Sequence, residues 1–247
     1  MQNNAEASQM IKGIIFDKDG TLFDFNATWG TWALRMLTAE VGHDPVQFAA
    51  LADVLGFDVP TEQFLPGSIV IAETVDIVAA RMLDVLHDTT MDALRARMNA
   101  AAIGVAQVEA TPLLPFFDGL RGSGLRLGIA TNDAEAPAVA HLEQAGILDH
   151  FDFIAGYDSG HGAKPGAGQI LAFLTQTGLA ADEAVMVGDS VHDLTAGRAA
   201  GVRTIGVLTG PAAAPELAPH ADVVLPSIAD IPDWLAGQTA AGTRPSS

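Results

Sequence analysis

Six short apolar runs, separated by stretches with helical periodicity, limit most strongly what this chain can fold into. Apolar runs that recur with helices between them are typical of a parallel β-sheet whose strands are joined by crossover helices. One such helix is predicted over residues 191–200, because Ser190 can cap its start and Gly201 can end it. The pattern therefore predicts an α/β fold with a doubly wound parallel sheet. The runs are IKGIIF (11–16), LRLGIA (125–130), FDFIA (151–155), AVMV (184–187), VRTIGVL (202–208) and ADVVL (221–225).

Residues 24–111 show few strand signals and predict an all-helical insert within that sheet. Trp29, Trp32 and Met36 fall on one helix face, so we expect the two indoles to pack in a core rather than to form a substrate platform. Further helix starts are predicted at Asp44, Ser68 and Thr90, and the helix after Ser68 is expected to run to about Leu86. The expected division is core 1–23, helical cap 24–111, core 112–236 and a flexible tail 237–247.

The charge balance and the N-terminal sequence restrict the partners of the chain. Its 30 acidic side chains against 12 basic ones give a formal net charge of −18, and such a surface repels nucleic acid. The absence of cysteine excludes disulfides, thiolate metal sites and a cysteine nucleophile. The first ten residues lack the pattern of a secretory signal, and no apolar run reaches the roughly 18 residues of a membrane helix. We therefore expect a cytoplasmic protein with no nucleic-acid or membrane partner, while the sequence leaves the oligomeric state open.

Polar segments follow the first four apolar runs, at the point where each predicted strand ends. Because the carboxyl ends of parallel strands share one crevice, we expect these segments to converge. Clustered carboxylates repel one another unless a cation lies between them, and an all-oxygen site suits Mg²⁺, with Asp17 and Asp189 as ligands. Lys164 would add a positive charge for a bound phosphate, and Thr131 and Asn132 would donate hydrogen bonds to it. The segments are Asp17-Lys18-Asp19-Gly20-Thr21, Thr131-Asn132, Lys164-Pro165 and Gly188-Asp189-Ser190-Val191-His192-Asp193.

These segments, in this order, resemble the four motifs of the haloacid dehalogenase superfamily: DxDGT at 17–21, Thr131 at a strand end, Lys164-Pro165, and GDSxxD at 188–193. The resemblance is to the phosphatase branch, to proteins like the phosphoglycolate phosphatases, which carry a helical cap after the first motif. It implies a Rossmann-like core and a Mg²⁺-dependent phosphatase that acts on a small phosphorylated metabolite, a phosphoglycolate-like monoester. Dehalogenases and phosphonate hydrolases of the superfamily lack the acid that this chain has at Asp19.

The resemblance also implies a role for each matching residue. Asp17 would be the nucleophile that forms an aspartyl-phosphate, and Asp19 would be the general acid and then the base. Asp193 would orient Lys164 or a metal-bound water, with Ser190 in a supporting position. The implied metal ligands are Asp17, the backbone carbonyl of Asp19, and Asp189. The implied phosphate-binding residues are Asp17, Lys18, Asp19, Gly20, Thr131, Asn132 and Lys164, although alternation of strand faces predicts that the Lys18 side chain points away.

Two other functions remain open at this point. The first is a phosphomutase, which would keep the aspartyl-phosphate for return to a sugar intermediate. The second is a non-catalytic module that binds phosphate or a partner. No role is assigned to the histidines His87, His161 and His192, which lack zinc-site spacing. The fixed cations of the insert are Arg35, Arg81, Arg95 and Arg97, each expected in solvent unless one meets a substrate carboxylate.

Overall fold

The computed structural model describes residues 10–242, and its centre is a parallel sheet of six strands in the order β5-β4-β1-β6-β7-β8. The doubly wound α/β fold is confirmed, and each of the six apolar runs coincides with one of these strands, β6 extending one residue beyond its run. Strands β2 and β3 form a separate antiparallel pair outside this sheet. The strands are β1 (Gly13–Phe16), β2 (Phe57–Asp58), β3 (Gln63–Phe64), β4 (Arg126–Ala130), β5 (Phe153–Ala155), β6 (Ala184–Gly188), β7 (Arg203–Val207) and β8 (Val223–Leu225).

Helices cover both faces of the six-stranded sheet. Ile14 and Phe16 point to one face and pack against α6, whereas Ile15 points to the other face and packs against α8. The helices are α1 (Phe25–Val41), α2 (Pro45–Leu55), α3 (Ile69–Ala72), α4 (Val75–Met82), α5 (Met91–Ile103), α6 (Leu113–Gly122), α7 (Glu135–Gln144), α8 (Gly168–Thr177), α9 (Val191–Ala200), α10 (Ala214–Leu217) and α11 (Ile231–Gly242), with single 3-10 turns at Leu148–His150, Ala181–Glu183 and Ile228–Asp230.

Helices α1–α5 and the β2–β3 pair have a hydrophobic core of their own. Trp29, Trp32 and Met36 are buried in it, as the helical periodicity predicts. The single helix expected from Ser68 to about Leu86 is wrong, because the chain leaves the helix after Ala72 and re-enters it at Val75. The intervening Glu73 and Thr74 have extended backbone angles, with Thr74 at the capping position of α4. This interruption places residues of the insert over the carboxyl ends of the sheet strands.

Two further differences from the sequence analysis concern short segments. The β2–β3 pair was not predicted, because two-residue strands carry no periodicity that a sequence pattern can show. Residues 237–242, expected in a flexible tail, belong to helix α11. This stretch contains alanines, and alanine favours helix. Residues 1–9 and 243–247, to which the expectations for the N-terminus and the end of the tail refer, lie outside the described residues. Within residues 10–242, no helix combines the length and apolarity that crossing a bilayer requires.

Candidate active site

The loop after β1 folds tightly enough to bring its backbone against the loop after β6. The amide of Asp17 donates to the carbonyl of Val187 at 2.8 Å, which continues the pairing of β1 with β6. The amide of Gly20 then donates to Phe23 at 2.8 Å and closes the loop. Gly20 has a φ of +79°, and a Cβ at this position would collide with the Asp189 carboxylate. Gly20 is therefore required by backbone conformation and by space, which explains a glycine at this position of the motif.

Three buried carboxylates meet where β1 and β6 end. One oxygen from each of Asp17, Asp189 and Asp193 lies within 4.8 Å of the others. The ammonium of Lys164 contacts two of them, at 2.6 Å from Asp17 Oδ1 and 2.6 Å from Asp193 Oδ1. One positive charge therefore faces three carboxyl groups, all of them buried. Asp17 thus meets side chains that lie 147 or more positions later in the sequence, at the crevice where parallel strands place their polar ends.

The pKa values of this cluster show that its negative charge is not balanced by Lys164 alone. Burial, with the nearby Asp193, raises the pKa of Asp17 to about 7 despite the contact with Lys164. Burial also raises the pKa of Asp189 well above its usual value. Burial opposes the charge on Lys164, but Asp17 and Asp193 outweigh it and raise the lysine pKa. A divalent cation would relieve this excess charge, and the oxygen-only donor set fits Mg²⁺.

Asp193 is fixed by contacts on both of its oxygens. Its Oδ2 accepts hydrogen bonds from the backbone amide of Ser190 at 3.0 Å and from the Ser190 hydroxyl at 2.7 Å. Its Oδ1 accepts from Lys164. Asp193 therefore contacts the lysine ammonium directly, which is the geometry that the first of its two predicted roles requires. Ser190 supports that arrangement as the capping residue of α9.

The loop after β4 presents one hydroxyl to the site and uses its amide side chain elsewhere. The Thr131 hydroxyl oxygen accepts from the backbone amide of Asp133 at 3.0 Å, which leaves its proton available to a ligand. Both Asn132 amide protons are engaged, with the carbonyls of Ala72 at 2.7 Å and Lys164 at 2.9 Å. Its Oδ1 accepts from the Lys164 amide at 2.8 Å. Without a ligand, the Asn132 amide therefore joins the insert to the lysine loop, and its donation to phosphate stays a prediction.

Asp19 lies outside the three-carboxylate cluster and faces helix α1. Lys18 Nζ lies 2.7 Å from Asp19 Oδ2, and the Trp29 indole N–H donates to Asp19 Oδ1 at 2.9 Å. The Lys18 side chain is fully buried, lies 5.4 Å from the centroid of the Trp29 ring, and also contacts Asp133 at 3.3 Å. Lys18 thus fixes the orientation of Asp19. The Trp29 indole combines the expected packing with a polar contact that its helical spacing does not reveal.

His141, which sequence reasoning missed, links the core to the insert beneath this lysine. Its Nδ1 lies 3.0 Å from Lys18 Nζ and its Nε2 lies 2.8 Å from the carbonyl of Ala102 in α5. Because a lysine ammonium only donates, Nδ1 accepts and Nε2 carries the proton that goes to Ala102. Burial and the charge of Lys18 lower the pKa of His141 to about 4, so the imidazole is neutral. No local pattern marks this residue, since both of its partners lie far away in sequence.

A cavity of about 90 Å³ lies between the insert and the carboxylate cluster, with room for several water molecules or a small ligand. Its core side is formed by Asp17, Asp19, Thr131 and Lys164 together with their neighbours. His192, to which no role was assigned, also lines it. Its other side is formed by α1, α3, α4 and α5. Of the residues predicted to bind phosphate, Asp17, Asp19, Thr131, Asn132 and Lys164 line this cavity beneath the helical insert, whereas Lys18 and Gly20 do not.

Known proteins similar to this chain cover most of its length. The sequence profile of the haloacid dehalogenase-like hydrolase family matches residues 14–207. The chain is 32% identical to a phosphoglycolate phosphatase of Rhodospirillum rubrum over 238 residues, which are 95% of each protein. It is 30% identical to a phosphoglycolate phosphatase of Agrobacterium fabrum over 218 residues, 87% of this chain and 88% of the relative. The solved structure of a predicted phosphoglycolate phosphatase from Haemophilus somnus has the same fold, with a TM-score of 0.71 and 18% identity over 91% of this chain and 97% of the other.

Proposed function

The chain belongs to the haloacid dehalogenase-like hydrolase family and is a phosphatase, and on that basis we propose that it hydrolyses a small organic phosphomonoester with Mg²⁺ through an aspartyl-phosphate on Asp17. The observation that carries the proposal is the position of Asp17. It lies at the floor of the covered cavity, within the carboxylate cluster and 2.6 Å from Lys164. Phosphoglycolate is the first substrate to test, because several relatives carry the name phosphoglycolate phosphatase.

The nucleophilic step uses the oxygen of Asp17 that Lys164 does not hold. Lys164 donates to Oδ1, so Oδ2 is the atom directed to phosphorus in the proposed attack. The bond from phosphorus to the ester oxygen breaks as the bond to Asp17 forms. Lys164 and the Thr131 hydroxyl would donate to the phosphoryl oxygens, where negative charge is concentrated during transfer. Asp193 keeps the Lys164 ammonium in place for this role.

Proton transfer is assigned to Asp19. It would donate a proton to the departing ester oxygen and then accept one from the water that hydrolyses the aspartyl-phosphate. Its contacts with Lys18 and Trp29 give the carboxyl group one orientation at the border of core and insert. Hydrolysis releases inorganic phosphate and restores the Asp17 carboxylate.

The residues that would hold Mg²⁺ are Asp17, Asp189 and the backbone carbonyl of Asp19. When bound, the ion neutralises charge on the cluster and on the phosphoryl oxygens. Residues 24–111 would act as the cap that excludes bulk water during the transfer, over a core formed by residues 1–23 and 112–236. The separate hydrophobic core of the insert supports this division.

The test is the release of phosphate from p-nitrophenyl phosphate by the purified full chain, with Mg²⁺ or with EDTA. We expect turnover with Mg²⁺ only, and none from Asp17→Asn, whose amide is nearly isosteric but is a poor nucleophile. Asp53→Asn, which changes an exposed carboxylate of α2, is the matched control and should keep the wild-type rate. Wild-type rates in Asp17→Asn, or full activity with EDTA, would reject the mechanism. Isomerisation of a sugar phosphate without phosphate release would instead identify a mutase.

A further inference from the structure

The side of the cavity that residues 24–111 form consists of residues outside the four sequence motifs, and these residues would contact the organic half of a substrate. We propose that this side of the cavity selects phosphomonoesters whose organic half is uncharged and carries a hydroxyl group, that it disfavours a carboxylate there, and that Glu73 determines this specificity. The inference rests on the proposed phosphatase function and narrows its substrate class.

The wall of the cavity that faces the carboxylate cluster is mostly apolar. Aromatic and aliphatic side chains from four helices form most of it, so the organic half of a substrate would leave water for an apolar environment. A buried carboxylate without a partner is strongly unfavourable in such an environment, whereas a hydroxyl with one hydrogen-bond partner is tolerated. The apolar wall includes Phe25, Trp32, Val70, Ile71, Val78 and Met98.

The arginines of the cap are not available to a substrate carboxylate. None of the four lines the cavity, and three of them pair with acidic residues of the cap itself. Arg35 is exposed on α1. Among the described residues, Lys164 is the one lysine or arginine that lines the cavity, and it is held by Asp17 and Asp193 at the phosphate end. The pairs are Arg81 with Asp84 at 3.7 Å, Arg95 with Asp92 at 2.9 Å and Asp76 at 3.4 Å, and Arg97 with Glu40 at 2.6 Å.

The interruption between α3 and α4 puts a carboxylate into this wall instead of a cation. Glu73 lines the cavity, is half-buried, and makes no side-chain hydrogen bond or ion pair with any residue between 10 and 242. Asn99 of α5 lines the same wall, and its amide likewise has no partner among the residues described. Glu73 accepts hydrogen bonds and repels an anion, whereas the Asn99 amide can both accept and donate. A hydroxyl on the substrate would satisfy either of them.

Trp32 adds an observation that is independent of Glu73. Its side chain lines the cavity, is 6% exposed, and its Nε1 is a buried donor without a partner in the described part of the chain. An unsatisfied indole N–H in a protein interior is unfavourable unless a ligand or water accepts from it. A neutral hydroxyl oxygen can accept from Trp32 and donate to Glu73, but a carboxylate can only accept.

Two esters of matched shape test the preference. Phosphoglycolate and hydroxyethyl phosphate differ in that the first has a carboxylate where the second has a hydroxymethyl group. For the wild-type chain with Mg²⁺, we expect kcat/KM to be at least about tenfold higher for hydroxyethyl phosphate, a difference of about 1.4 kcal/mol, and expressed mainly in KM. Equal values, or a preference for phosphoglycolate, would overturn the proposal.

Glu73→Gln tests the assigned residue, because it removes the charge and keeps the length of the side chain. It should raise kcat/KM for phosphoglycolate and reduce the ratio between the two esters several-fold. Glu143→Gln removes an exposed carboxylate on α7, away from this cavity, and should leave the ratio unchanged. Asn99→Asp adds a second carboxylate to the wall and should increase the ratio, which keeps the test informative if Glu73→Gln does not fold. If Glu73→Gln and Asn99→Asp both keep the wild-type ratio of kcat/KM between the two esters, this wall does not determine the preference.

The same experiment separates this inference from the function on which it rests. If p-nitrophenyl phosphate is hydrolysed with Mg²⁺ and Asp17→Asn is inactive, but phosphoglycolate is the better of the two esters, the phosphatase proposal stands and the substrate class is wrong. If the wild type hydrolyses none of the three esters, the phosphatase mechanism fails and the substrate class fails with it.

Discussion

Replacing His141 with Gln tests whether a neutral, buried imidazole links stability to pH. The imidazole accepts from Lys18 and donates to Ala102, so protonation would place an N–H against an ammonium 3.0 Å away. Burial and Lys18 lower the pKa of His141 from 6.5 to about 4 in the folded chain. The folded state therefore takes up fewer protons than the unfolded state between these values. The stabilisation that the neutral His141 imidazole contributes is complete above pH 6.5 and is lost as the pH falls towards 4.

The size of the effect follows from the two pKa values. Between pH 7 and pH 5, the unfolded imidazole becomes almost fully protonated while the folded one stays neutral, which lowers the free energy of unfolding by about 2 kcal/mol. Asp17 and Asp133 act in the opposite direction, since burial raises their pKa values to about 7 and about 6. These two groups are present in both the wild type and the variant, so the comparison between the two proteins isolates His141.

The assay is urea unfolding of the wild type and His141→Gln at both pH values. For each protein, the quantity compared is the fall in the free energy of unfolding from pH 7 to pH 5. This fall should be about 2 kcal/mol smaller in His141→Gln than in the wild type, whatever the absolute stability of the variant. His43→Gln changes an exposed histidine and should follow the wild type. Parallel pH dependence in the wild type and His141→Gln would show that the imidazole is not held neutral by Lys18, and the reasoning would be wrong.

Three further predictions concern the loops around the carboxylate cluster. Gly20→Ala should destabilise the fold by about 2 kcal/mol or more in urea unfolding, because Gly20 has a φ of +79° and a Cβ there would strike Asp189. Gly42→Ala is the control, since Gly42 has a φ of +60° but no atom within 4 Å of an added Cβ, and it should lose less stability. Equal losses in the two variants would refute the role of the contact with Asp189. Lys164→Met should reduce kcat at least about a hundredfold, because it removes the cation beside Asp17, the proposed nucleophile; a smaller loss in steady-state kinetics contradicts its role. Mg²⁺ should raise the melting temperature more at pH 8 than at pH 6, because Asp17, with a pKa of about 7, is protonated at the lower pH; an equal shift, measured by calorimetry, would place the ion elsewhere.

The sequence predicts the parts of the site that follow from strand ends. Asp17 and Asp189 each follow a fully buried run, and parallel pairing of β1 with β6 brings such positions together in any sheet of this kind. The role of His141 could not be predicted, because its contacts with Lys18 and Ala102 join residues far apart in sequence. Asn132 shows the other limit. The motif indicates that Asn132 lies at a strand end. It does not indicate that the Asn132 amide donates to the carbonyl of Ala72, because that contact depends on where the chain leaves helix α3.

At least five side-chain hydrogen bonds join the insert to the core: Asn132 to Ala72, Trp29 to Asp19, His141 to Ala102, Gln144 to Ile103 and Tyr157 to Asp76. At about 1 kcal/mol net each, these five bonds together would oppose opening of the proposed cap by about 5 kcal/mol, which would leave the open form at roughly one molecule in several thousand. The proposed cap would then be shut at rest, and the apparent affinity for any substrate that enters by way of the open form would fall by the same factor. Weakening one of these hydrogen bonds should increase the rate at which substrate enters and, equally, the rate at which phosphate leaves.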